Sequence, residues 1–251
     1  LKEAITVGSG YTSVDDNIAS TGTANSIDHI VPLYGRLNAK YILQSCNSIG
    51  CTDSPEVFTS TKVAEMASSI GKFDGSSGWR VGNYFGASVS LSHDGYTMAV
   101  GAQSNNSSAT GINGNQNTTG ANTSGAVYIY TRSGTSWSQQ AFIKASNTGL
   151  GDFFGRSVSL SDDGNTLAVG APQEDSNATG INGDQANNTV TGSGAVYVFE
   201  RSGTSWSQQA YIKASTTGIY DLFAWPTLSG DSNTLAVGAS REDSSANGIN
   251  G

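Results

Sequence analysis

Charge is scarce in this chain: Asp, Glu, Lys and Arg together make up 13% of its 251 residues. Histidine, cysteine and methionine occur twice each, proline four times, and no apolar run nears the ~20 residues that a bilayer-spanning helix needs. Each shortage excludes something. A formal charge of −8 without a Lys/Arg cluster argues against nucleic acid, whose phosphates reward grouped cations. No membrane insertion is expected within this segment. The two histidines, His29 in "SIDHIVPL" and His93 in "SHDGY", have no cysteine or second histidine at ligand spacing. No G-x-S-x-G elbow or phosphate-binding loop is present, so the chain reads as non-catalytic.

Glycine, serine, threonine and asparagine are abundant instead, a supply of turn residues that suits short strands better than helices. The chain also repeats itself. "FGASVSLSHDGYTMAVGA" at 85–102 returns as "FGRSVSLSDDGNTLAVGAP" at 154–172 and, degraded, as "FAWPTLSGDSNTLAVGA" at 223–239. Phe85, Phe154 and Phe223 lie 69 residues apart, and Trp137 and Trp206 keep the same step. Segments 133–146 and 202–215 differ at one position, so each copy is one structural unit stacking on its neighbours. The final "REDSSANGING" matches 173–183, the middle of a repeat, which makes a segment of a longer polypeptide the expectation.

Within one copy, "SVSLS" alternates, "DDGN" turns the chain and "TLAVGAP" is a mostly apolar run. A long loop, "GAVYVFER", the turn "SGTS" and "WSQQAYIKAS" follow. The fold class is therefore all-β: four-stranded antiparallel propeller-type blades after a partial β-sandwich-like segment. The near-continuous "LAVGA" run is expected to be covered on both faces, near a central axis. The boundaries read as 1–62 for the non-repetitive segment, 63–84 for a linker and incoming strand, 85–153 and 154–222 for two blades, and 223–251 for a truncated, divergent third. There Trp225 and Pro226 stand in the first strand, which is one residue shorter and so predicted to be an edge, a bulge or irregular.

The Phe-Gly of 85–102 and 154–172, with the Gly-Ala that ends the first and the Gly-Ala-Pro that ends the second, resemble the FG-GAP repeat, the blade unit of the integrin α-subunit propeller and of many bacterial surface proteins. That resemblance covers roughly 70–251 and implies an extracellular or cell-surface propeller used for adhesion or binding. Its partners would be a protein or glycan ligand, or copies of itself if the repeats build a fibre or stalk through edge strands. Residues 41–58, a strand near Tyr41–Cys46, a hairpin and "EVFTS", resemble the last two strands of a fibronectin type III module. Cys46 and Cys51 enclose four residues of that hairpin and are read as a disulfide pair in an oxidising compartment.

Two places can hold a metal. In the turn "SDDGN", Asp162 and Asp163 are candidate calcium ligands, but neighbouring side chains diverge and the spacing is shorter than a family calcium loop. Asp side chains bonding their own backbone around an αL glycine explain the same residues as a turn. In the loop 173–188, Glu174, Asp175 and Asp184 can supply oxygens for Ca²⁺. The first copy has Asn105, Asn106 and Asn115 there, which also fits a loop whose side chains pin its own backbone. Sequons at Asn105, Asn106, Asn117, Asn122, Asn177 and Asn187 read as exposed loops. Trp137 and Trp206, identically placed, read as packing between blades; Trp79, Trp225 and Tyr220 are the irregular aromatics and the candidates for a surface contact.

Overall fold

The computed structural model describes residues 83–134 and 136–243 in full, with the backbone of six short strands nearer the N-terminus. The chain divides into two compact bodies, Leu1–Gly71 and Lys72–Gly251. In the first, β1 (Lys2–Ala4), β2 (Thr12–Ser13), β3 (Lys40–Ile42) and β6 (Val57–Phe58) form an antiparallel sheet in the order β2-β1-β3-β6. A separate hairpin pairs β4 (Gln44–Cys46) with β5 (Cys51–Asp53). The strand expected over 41–46 is thus divided between two sheets. Cys46 and Cys51 are direct register partners. Opposed antiparallel residues hold their Cα atoms about 4.5–5.5 Å apart, inside the range that a disulfide spans. The side chains of both lie outside the described residues, as do Trp79, His29, most of the fibronectin-like segment and nearly all of the 63–84 linker.

The second body is built from the repeat. Its first copy gives β7 (Phe85–Leu91), β8 (Thr97–Ala102), β9 (Ala126–Ser133) and β10 (Ser136–Ile143), paired in sequence as one antiparallel meander. The second gives β11 (Ser157–Leu160), β12 (Thr166–Ala171), β13 (Ala195–Ser202) and β14 (Ser205–Ile212) in the same order. The degraded copy supplies the hairpin of β15 (Phe223–Leu228) and β16 (Leu235–Ala239). The described residues contain strands, turns and bends but no helix.

Alternation decides which side of each sheet goes where. In the first copy, Ala99, Val127, Ile129, Ala141 and Ile143 face the second copy, packing with Phe154, Leu160, Leu167, Val169, Tyr197 and Phe199. The residues between them, Val100, Tyr128, Tyr130 and Phe142, gather on the opposite face around Phe85. The main core therefore lies between sheets, and each fully buried Leu, Ile or Phe there contributes roughly 1.5–3 kcal/mol. The repeated phenylalanine centres an aromatic cluster that is copied with its geometry. Phe85 meets Tyr128 edge-on at 5.3 Å, and Phe154 meets Tyr197 edge-on at 5.3 Å.

The "LAVGA" strand is covered on both faces in the second copy. It is the second strand of its sheet, between β11 and β13. From copy to copy, β11 meets β7 and β8, and β15 meets β11 and β12. In the third copy, the pairing shifts between Phe223 and Trp225, so a bulge precedes Pro226. A proline fits there because β15 is an edge of its two-stranded sheet, where a missing ladder donor is tolerated.

Candidate binding surface

The seam between copies is where backbones approach most closely. A Cβ added to Gly101 meets the carbonyl oxygen of Gly155 at 2.1 Å, and one added to Gly170 meets that of Ala224 at 1.8 Å. No side chain fits at either place. Serines on the first strands reach across: Ser88 Oγ donates to the Gly155 carbonyl at 2.8 Å, and Ser157 Oγ donates to that of Ala224. Leu160 N donates to Ser90 Oγ at 3.0 Å, and Leu228 N to Ser159 Oγ at 2.9 Å.

At this seam, between the second copy and its neighbours, opens a cleft of about 340 Å³. Gln103, Phe153, Arg156, Pro172, Leu222 and Trp225 line it. These are equivalent positions of successive copies: Phe153 matches Leu222, Arg156 matches Trp225 and Gln103 matches Pro172. Phe153 and Leu222 both hold left-handed backbone, with φ of 55° and 57°. That conformation is rare for bulky residues and is fixed here because each N–H donates to the preceding copy's loop, to Thr123 O and Gly192 O, at 3.1 Å. Arg156 donates from its guanidinium to Gln103 Oε1 at 2.6 Å, and the Trp225 ring is partly exposed. The lining is largely apolar and includes one cation and one indole. Such a lining suits a flat ligand face carrying hydroxyl or carboxylate groups.

Long loops border the seam and are pinned by their own side chains. Asn113 and Asn182, both with φ of 57°, accept from Phe142 N at 3.0 Å and Tyr211 N at 2.9 Å, stitching each loop to its sheet's last strand. Asn106 accepts from Thr123 N at 2.8 Å, and Asp175 from Gly192 N at 2.7 Å. Not every sequon is an exposed loop position. Asn105 is 2% exposed, donates to Tyr128 OH and accepts from Ser107 N, so its reading as a surface site is corrected.

The five carboxylates singled out as calcium ligands have separate engagements. Asp163 accepts from Ser161 Oγ at 2.6 Å and from the backbone and side chain of Asn165, both at 2.9 Å; these hydrogen bonds hold its carboxyl below the usual range. Asp162 is exposed, its carboxylate lying against Gly230 of the third copy. Asp184 accepts from Ala186 N at 2.8 Å. Glu174 is buried and ion-paired with Lys213 at 2.7 Å. Among the described residues, no three His, Cys, Asp or Glu side chains gather as a metal-binding group.

Sequence reasoning missed the buried polar groups, because a lysine in "IKAS" reads as a strand end facing water. Lys144 and Lys213 are both buried, and Asp152, also buried, is pushed up to about 7 by desolvation. The signal was available: one lysine, repeated at the same register among apolar residues. Of the regular tryptophans, Trp206 packs at the seam, and Trp137 packs on the opposite face of the first copy. Trp206 is buried and donates from its indole N–H to Gln140 Oε1 of the first copy at 3.0 Å, with the Arg201 guanidinium 5.6 Å above its ring. Of the irregular aromatics, Trp225 lines the cleft and Tyr220 is exposed beside Gly192.

Residues 137–199 match the family model of the FG-GAP repeat. The match starts in β10 and ends in β13, so it crosses the seam and includes the Phe-Gly and Gly-Ala-Pro positions whose backbones meet there. The chain carries FG-GAP repeat sequence, and its antiparallel sheets are those of propeller-type blades. No curated protein matches it.

Proposed function

We propose that the chain is a non-catalytic ligand-binding module of an extracellular or cell-surface protein, with the seam cleft as its binding site. The observation that carries this reading is a largely apolar cleft lined by both Arg156 and Trp225, where the degraded third copy replaces the arginine of the second with an indole. The same position is Ala87 in the first copy, Arg156 in the second and Trp225 in the third, so the cleft gains its cation and its indole from a variable position of the repeat. The ligand class is a glycan, or a protein loop, that presents a flat face next to a carboxylate or hydroxyl group. The directly opposed Cys46 and Cys51 support an oxidising compartment.

The test is a glycan array followed by titration of the best hit, comparing the wild-type chain with Trp225→Ala. The variant is expected to bind at least about tenfold more weakly, roughly 1.4 kcal/mol, with unchanged thermal stability. Equal affinity in both proteins would remove the cleft from the proposal. The titration is run with calcium and with chelator, because a calcium requirement would assign Glu174, Asp175 and Asp184 a role that their present hydrogen bonds do not need.

A further inference from the structure

One buried carboxylate at the seam is shared in a way that packing does not require. Glu174 is 1% exposed. Its Oε2 accepts from Lys213 Nζ at 2.7 Å, and its Oε1 accepts from the side-chain amide of Asn147 at 3.0 Å. The carbonyl oxygen of that amide accepts in turn from Tyr197 OH at 2.6 Å. An amine and a carboxamide from consecutive copies are thus held side by side on one carboxylate, with a hydroxyl on the carbonyl oxygen. Lys213 and Tyr197 are buried as well, at 2% and 0%.

We propose that Lys213, Glu174, Asn147 and Tyr197 form a self-cross-linking site, in which Lys213 and Asn147 condense to an isopeptide bond with loss of ammonia. Each group has the place the reaction needs. Glu174 takes a proton from Lys213 and leaves a neutral amine, an exchange favoured where two charges are desolvated together. Burial lowers the pKa of Lys213, against the opposing pull of Glu174. The Nζ lone pair attacks Asn147 Cγ, and the charge that develops on Oδ1 is met by the Tyr197 hydroxyl. Glu174 returns the proton to Nδ2 and takes the second proton from Nζ; the Cγ–Nδ2 bond breaks, ammonia leaves, and Glu174 ends protonated beside a neutral amide. One C–N bond forms and one breaks; no oxidant, metal or cofactor takes part. The product stays in the chain, so the site acts once and the module remains non-catalytic toward other molecules.

The set is complete at this seam alone among the equivalent positions that the sequence offers. Asn105 stands where Glu174 does in the first copy, and Thr216 stands where Asn147 does in the next. The bond would tie residue 147 of one copy to residue 213 of the next, across the seam between their sheets.

The test is the mass of the full 251-residue chain under denaturing conditions, followed by tryptic mapping. The expected result is a mass lower by one ammonia, and a branched peptide joining 145–156 to 202–241 with no cleavage after Lys213. Wild-type protein in which trypsin cleaves at Lys213 and releases 145–156 unlinked overturns the proposal. So does an ammonia loss without the branched peptide, as asparaginyl-glycine pairs yield on forming succinimides. Asn147→Ala keeps the Lys213–Glu174 pair and must lose the branched peptide; Glu174→Gln must lose it too wherever it folds.

Discussion

The heptapeptide "NTLAVGA" stands twice in this chain, at 165–171 and at 233–239, and the two copies live in different surroundings. In the first, β12 is buried from Leu167 to Ala171, with Leu167, Ala168 and Val169 at 0% exposure. In the second, β16 alternates between half-buried and exposed along its whole length. Both are strands, and both pair antiparallel with the strand before them. Strand formation is therefore written in the seven residues, whereas burial is supplied by what stacks on them. β12 has β13 on one edge and the next copy over its face; among the described residues β16 has only β15 as its ladder partner.

The glycine within that heptapeptide offers the sharpest way to break the equivalence. A methyl group on Gly170 collides with the Ala224 carbonyl, whereas one on Gly238 finds nothing nearer than Trp225 Cβ at 3.5 Å, an ordinary contact. Gly170→Ala is expected to destabilise the protein by about 3 kcal/mol, because backbone must move and the seam hydrogen bonds move with it. Gly238→Ala is expected to change stability by less than about 0.5 kcal/mol, or to raise it slightly through the unfolded chain. Urea denaturation of the two variants checks both. Equal losses would mean that the seam does not set the tolerance of this strand.

The same contrast separates what was legible in the sequence from what was not. Strand order, both four-stranded sheets and the irregular third copy follow from alternation, turn residues and a fixed period, all local properties. The coverage of "LAVGA" was legible too, because an uninterrupted apolar run reports burial on both faces. The cleft was half-visible: Trp225 stood out as irregular, but Arg156, 69 residues earlier, gave no sign that it would line the same cleft. The buried lysines were not read at all, since a polar residue buried with a partner looks, in sequence, like any strand-end lysine.

Those lysines form a second matched pair. Lys213 has Glu174, but at the equivalent position Lys144 has Asn105 nearby, and its ammonium donates to Ser124 Oγ at 2.6 Å and Gly125 O at 2.5 Å. Burial lowers the Lys144 pKa to about 7, partly offset by Asp152. An unfolded lysine titrates near 10.4, so the folded state sheds a proton that the unfolded one keeps between about pH 7 and 10. Stability on this account rises with pH across that window and is lost as pH falls toward 7. Asn105→Glu supplies the missing partner. It is expected to stabilise the protein by about 1–2 kcal/mol at pH 7 and to flatten the rise between pH 7 and 10. Thermal midpoints of both proteins across that range check the slope; an unchanged slope would mean that Lys144 is not the group titrating.

The turns before the heptapeptides are the smallest and most even comparison. Asp163 and Asp231 each accept from a serine hydroxyl two residues back at 2.6 Å and from an asparagine two residues on, through its backbone and side chain. The turn geometry is thus the same whether the strand that follows is buried or half-exposed. Replacing either Asp by Ala leaves the N–H two residues on without its acceptor, a small loss where water can take its place. Asp163→Ala and Asp231→Ala are therefore expected to lower the urea midpoint slightly and by the same amount, unlike the glycine pair. A much larger loss at Asp163 would show that its carboxylate does something besides closing the turn, and repeating that measurement with added calcium would say whether the something is a cation.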